Sequence, residues 1–159
     1  MRKIDTLLTE YGESHQNKTN KAIHWICVPL IFFSIVALIA SIPAGAIESM
    51  AGQNDAFTNW ATIALLLATV YYVSLSIPLS IGLVLFAIGC LQLAFGLAQL
   101  NILPLWQDAL IIFMLAWIGQ FYGHKIEGKK PSFLKDLQFL LIGPAWLMHF
   151  IYKKIGIRY

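Results

Sequence analysis

From Ala22 to His124 the chain has no Lys or Arg, and its only acids are Glu48, Asp55 and Asp108. Four apolar stretches fill this region: Ile23 to Ile42, Trp60 to Ile77, Leu79 to Leu97 and Leu105 to Tyr122. Each is near the roughly 20 residues that a helix needs to cross a bilayer. Inside hydrocarbon the backbone must satisfy its own hydrogen bonds, so these stretches are read as membrane-spanning helices. Composition agrees: 12% of residues are charged, against about 25% in soluble domains. Pro29 falls inside the first stretch, where a membrane helix tolerates a kink. The third stretch holds Gly82, Ala87, Gly89, Ala94 and Gly96, small residues that let helices pack closely.

The cations set the topology. All eleven Lys and Arg lie before the first span, after the fourth, or at the C-terminus. The connections at 43–59, 76–80 and 101–104 have none. Four spans bring the first two basic regions to one side, the cytosolic side by the positive-inside rule. Residues 137–152 are apolar again but interrupted by Gly143-Pro144. A fifth full crossing would carry Lys153, Lys154 and Arg158 to the wrong side. The segment is therefore read as two half-helices that dip in and return. At the other end, Ile4, Leu7, Leu8 and Tyr11 share a helical face, which predicts an amphipathic helix lying on the membrane over residues 4–15. His15 follows Tyr11 by one turn and should point inward. The expected fold is all-α: an integral membrane bundle of four spans, with that N-terminal helix and a broken, re-entrant C-terminal segment, forming one domain over residues 1–159.

Several function classes drop out. A net charge of +3 from a few cations flanking apolar runs is not a nucleic-acid signal. No GxSxG, P-loop, GxGxxG or HExxH motif is present. Cys27 and Cys90 sit inside apolar stretches without zinc or CxxC spacing and read as small buried hydrophobes. No cleavable signal peptide is expected, since residues up to about 22 are largely polar and the first apolar run is too long for one.

The histidines are more informative. His15, His24 and His124 come from three elements, yet the topology brings them to one membrane boundary. His149 joins them if the last segment re-enters. Gln120, His124 and Glu127 lie at i, i+4 and i+7, one helix face. Neutral imidazoles suit Fe, Zn, Cu or Ni, and a catalytic site takes about three protein ligands with a position left open. Glu127 is read as a further ligand or as a partner that orients a histidine, and Gln120 as a second such partner. Imidazoles also suit a wet membrane edge with no metal at all. A non-catalytic transporter or scaffold is the alternative class, supported by Asp108, an acid inside a span.

Two strings carry a resemblance: Tyr11-x3-His15-x-Asn17-x2-Asn20-x3-His24-x3-Val28-Pro29 and Gln120-Phe121-x-Gly123-His124-x2-Glu127-x3-Pro131, followed by Gly143-Pro144. With four to five short spans, the chain resembles the Mpo-like 2-hydroxy fatty acid dioxygenase family over nearly its whole length. The resemblance implies an Fe(II)-dependent dioxygenase of fatty acid α-oxidation. Its substrates would be a 2-hydroxy fatty acid and O2, its product a fatty acid one carbon shorter, and no 2-oxoglutarate would be needed. Carried over residue by residue, His15, His24 and His124 become iron ligands and, with Glu127, the catalytic set. His149 has no family counterpart and is kept as a fourth candidate ligand. Asn17, Lys21, Gln120 and Lys130 are the residues expected to meet substrate. The expected setting is a bacterial inner membrane, or the endoplasmic reticulum for a eukaryotic chain, with the histidines at the cytosolic face. The lipid bilayer is the one macroscopic partner, and no oligomeric state is implied.

Overall fold

The structure, a computed structural model, describes residues 2–45, 47, 55–128 and 139–159. Six helices stand among the described residues, in the order α1 (Lys3–Glu13), α2 (Lys18–Ala40), α3 (Trp60–Leu75), α4 (Ile77–Gln99), α5 (Leu105–Glu127) and α6 (Ile142–Ile155), with no strand among them. Three of these, α2, α4 and α5, are 23 residues each and apolar enough to cross a membrane. At 1.5 Å per residue such a helix is about 35 Å long, against a hydrocarbon core of about 30 Å. The other apolar stretch forms the shorter α3, 16 residues long. Leu66, Leu67, Val70, Leu85, Leu93, Leu115 and Ile118 point outward. Apolar surface this continuous belongs in lipid rather than water.

Local chemistry places the helix ends. The Asn17 side chain accepts from the Thr19 and Asn20 N–H groups and caps α2. Asn59 caps α3 by accepting from Thr62 N–H. Ser76, in extended conformation, is the single residue between α3 and α4 and caps the latter through Leu79 N–H. Pro78 then falls in the first turn of α4, where its missing N–H costs nothing. Asp108 lies in the first turn of α5, where a carboxylate complements the positive end of the helix dipole.

The α2 helix sits at the centre and makes its most extensive contact with antiparallel α5. Small residues allow it. Ala37, Ala94 and Ala109 pack α2, α4 and α5 together at one end. At the other end a Cβ added at Gly119 would lie 2.7 Å from Cys27 Sγ, and one at Gly123 would lie 2.4 Å from Asn20 Oδ1. On α4, Gly82 leaves room for Met148 and Tyr152 of α6. The Tyr152 hydroxyl accepts from Gly82 N–H and donates to the Pro78 carbonyl.

Two expectations change at the ends of the chain. The α1 stripe does not lie open to lipid: Ile4, Leu8 and Tyr11 are buried in one cluster with Ile142, Ala145, Trp146 and Leu147 of α6. An amphipathic helix buries its stripe on whatever apolar surface is nearest, and α6 supplies that surface. Gly143-Pro144 does not split a helix into two halves either. It lies in the first turn of α6, which runs unbroken to Ile155. Proline is tolerated there because the first-turn N–H groups have no intrahelical partner. Residues 137 and 138, the start of the expected first half-helix, lie outside the described residues.

Candidate metal centre

Three histidines from three places meet at the end of the α2–α5 pair. His15 follows α1, His24 stands in the second turn of α2, and His124 is in the last turn of α5. Their exposures are 3%, 0% and 5%. One ligand nitrogen from each lies within 4.8 Å of the others. The ring centroids are 4.2 Å apart for His15 and His24, 4.9 Å for His24 and His124, and 5.4 Å for His15 and His124.

The backbone sets the tautomers. His15 Nδ1 is 2.6 Å from the Tyr11 carbonyl, and His24 Nδ1 is 2.9 Å from the Asn20 carbonyl. A carbonyl only accepts, so each Nδ1 carries the proton and each Nε2 keeps its lone pair. Both Nε2 atoms are buried with no hydrogen-bond partner among the described residues. Orphaned buried acceptors are uncommon and costly, and two of them facing a third imidazole fit a metal ion. The Nδ1–H to carbonyl contact is the usual partner arrangement of metal-binding imidazoles. Burial pushes the His15 pKa down to about 4, against the Tyr11 carbonyl, which favours the charged form. The ring is therefore neutral at pH 7, the form that binds metal. His15 is held from the sides as well, stacked on Tyr11 at 4.3 Å and against Trp146 at 5.3 Å.

Glu127 is not in the histidine group. Its carboxylate accepts from the backbone N–H groups of Gln16 and Asn17 at 2.8 and 2.9 Å, and from Asn20 Nδ2 at 3.0 Å. Asn20 Nδ2 also donates to the Ser14 carbonyl at 3.2 Å. The end of α5 thus grips the α1–α2 turn that carries His15. Glu127 is a positioning residue in this arrangement. Glu127→Ala would leave two backbone N–H groups and one amide without their acceptor. Loss of such a supporting partner typically costs 10–100-fold in metal affinity, and a loss in that range is expected by metal titration. Unchanged affinity would remove Glu127 from the positioning role.

The other expected site residues separate. Gln120 is buried and lines, with His124, Tyr11, Trp117 and Gly143, a cavity of about 20 Å³, room for about one water-sized molecule. The Asn17 side chain is spent on capping α2. Lys21 lines a groove beside α6, away from that cavity. Lys130 lies outside the described residues. His149 does not join the three histidines; its Nδ1 meets the Tyr159 hydroxyl and its ring packs edge-on to Phe150. An unbroken α6 cannot fold back to deliver it. Trp146, which walls His15, carries no signal in the sequence, because only the packing of α6 on α1 brings it there. Asn20 stands in the first histidine string, and its link to Glu127 carries no signal there.

The family model of the 2-hydroxy-palmitic acid dioxygenase Mpo1-like proteins matches residues 1–155. No curated protein and no solved structure matches the chain. The match takes in both histidine strings and all six helices. With nearly the whole chain covered, this protein belongs to the 2-hydroxy-palmitic acid dioxygenase Mpo1-like family.

Proposed function

We propose that this protein is an Fe(II)-dependent membrane dioxygenase that shortens a 2-hydroxy fatty acid by one carbon. The observation that carries the reading is the pair of buried Nε2 atoms of His15 and His24, without a partner among the described residues, beside His124, in a chain whose family is named for 2-hydroxy-palmitic acid. The three imidazoles would hold the ion. When bound, ferrous iron supplies the redox chemistry that lets O2 react with a closed-shell acid. Three neutral ligands leave the ion's full positive charge for an anionic substrate. The small cavity at His124 and Gln120 suits a molecule the size of O2. Tyr11, Trp117 and Phe139 give it aromatic walls.

The redox balance is closed by the substrate itself. The C1–C2 bond breaks, C2 goes from alcohol to carboxyl, and C1 leaves as CO2. These changes release four electrons, which O2 accepts, so the acid, CO2 and water balance without 2-oxoglutarate. In the membrane, α2, α4 and α5 cross fully and the shorter α3 completes a fourth span. Lys18, Lys21, Lys125, Lys153 and Lys154 all gather at the histidine end, while the described residues of the far connections have no cation. That distribution supports a cytosolic histidine end.

Purified protein loaded with Fe(II) should convert 2-hydroxypalmitate to the acid one carbon shorter, consuming one O2 per product. Absence of product under these conditions, or a requirement for 2-oxoglutarate, would overturn the proposal.

A further inference from the structure

A groove of about 760 Å³ opens between the start of α2 and the end of α6. Trp25, Phe150 and Ile151 form its apolar floor, and Lys21, Lys153 and Lys154 stand along it. None of the described residues that line it is acidic. Cations at a membrane edge are common by themselves. Here they border a trough that the described side chains leave unfilled. A chain of aromatic rings connects the trough to His15. The Phe150 ring is 6.4 Å from Trp25 and 4.7 Å from Trp146, and Trp146 is 5.3 Å from His15. Two aromatic side chains therefore bridge the groove and the metal centre.

We propose that this groove is a docking site for one long-chain fatty carboxylate, with its head among Lys21, Lys153 and Lys154 and its chain along Trp25, Phe150 and Ile151. Charge complementarity selects an anionic head. The volume falls in the roughly 300–1,000 Å³ range of sites that take a single small ligand, which suits one acyl chain better than a two-chain phospholipid. The choice of a 2-hydroxy acid as occupant rests on the dioxygenase reading. The groove gives that substrate a place to wait at the membrane edge, with Phe150 and Trp146 between it and His15.

The test is equilibrium binding of radiolabelled 2-hydroxypalmitate to the full chain in nanodiscs of neutral phosphatidylcholine. Wild type is compared with K153Q/K154Q and with H124A, and metal content is measured in parallel. Saturable binding is expected in wild type and in H124A, with affinity about 25-fold lower in K153Q/K154Q, since each of the two lysines near an anionic head contributes about a fivefold factor. Metal content should be unchanged in K153Q/K154Q. An alkylamine of equal chain length should not compete. Equal binding by K153Q/K154Q and wild type would overturn the proposal, as would competition by the alkylamine. Displacement by phosphatidylglycerol at the affinity of the fatty acid would also overturn it, and would reassign the groove to phospholipid. Loss of binding in H124A alone would place the ligand at the histidines, overturning the groove while leaving the dioxygenase reading intact. Groove binding by a chain that turns nothing over would do the reverse.

Discussion

Replacing His24 by Ala abolishes metal retention and turnover: this is the expected result with the largest effect. His24 is wholly buried, its Nδ1–H is committed to the Asn20 carbonyl, and its Nε2 meets no partner among the described residues. Alanine removes that nitrogen and leaves two imidazoles, below the three or so protein ligands of a catalytic metal site. His15→Ala and His124→Ala should behave alike, because one ligand nitrogen from each completes the same group within 4.8 Å. The measurement is metal analysis of protein purified after anaerobic Fe(II) loading, with gel filtration to show that each variant stays monodisperse. About one ion per wild-type chain and nearly none in each variant is expected. A variant that keeps its ion is not a ligand. Imidazoles accept zinc as well as iron, so the identity of the ion in wild type tests the oxidative chemistry separately.

The second large effect is expected at a residue with no functional group. Gly123→Ala would put a Cβ 2.4 Å from Asn20 Oδ1 and 3.5 Å from His24 Cε1. Asn20 cannot swing aside freely, because its Nδ2 is bonded to both the Ser14 carbonyl and Glu127. Relief must come from parting α2 and α5 at the histidines or from breaking the Glu127 grip. Overpacking of this kind typically costs about 1–3 kcal/mol. A lower melting temperature and weaker metal binding should therefore appear together. Gly96→Ala is the control: nothing lies within 4 Å of its added Cβ, and alanine in a helix interior is favoured over glycine by roughly 1 kcal/mol. If Gly123→Ala melted and bound metal like wild type, α2 and α5 would not need their close approach at the centre.

Much of the site was legible because the membrane simplifies the problem. Long uncharged runs leave helices as the expected spans, and the placement of lysines then says which ends share a side. His15, His24 and His124 fall at shared ends, so their meeting followed from topology before any contact was known. Glu127 was legible as a candidate, and its contacts were not. A carboxylate three residues after a histidine reads equally as ligand or support, and its choice of Gln16 N–H, Asn17 N–H and Asn20 Nδ2 depends on how the α1–α2 turn seats on α5. His149 misled for a similar reason. Its approach required α6 to break at Gly143-Pro144, but a Gly-Pro pair starts a helix as readily as it interrupts one.

Hydropathy and charge by themselves determined the helical class and brought three residues that face one another to one side, and the two histidine strings carried the resemblance to the family. They could do so because bilayer crossing depends on the local run of the chain. Tertiary structure alone decided that α1 seats on α6, that Trp146 walls His15, that Gly123 admits Asn20, and that a lysine-edged groove lies beside the centre. Each of these depends on side-chain packing between segments far apart in the chain, and no single stretch of sequence encodes which of several apolar faces another will meet.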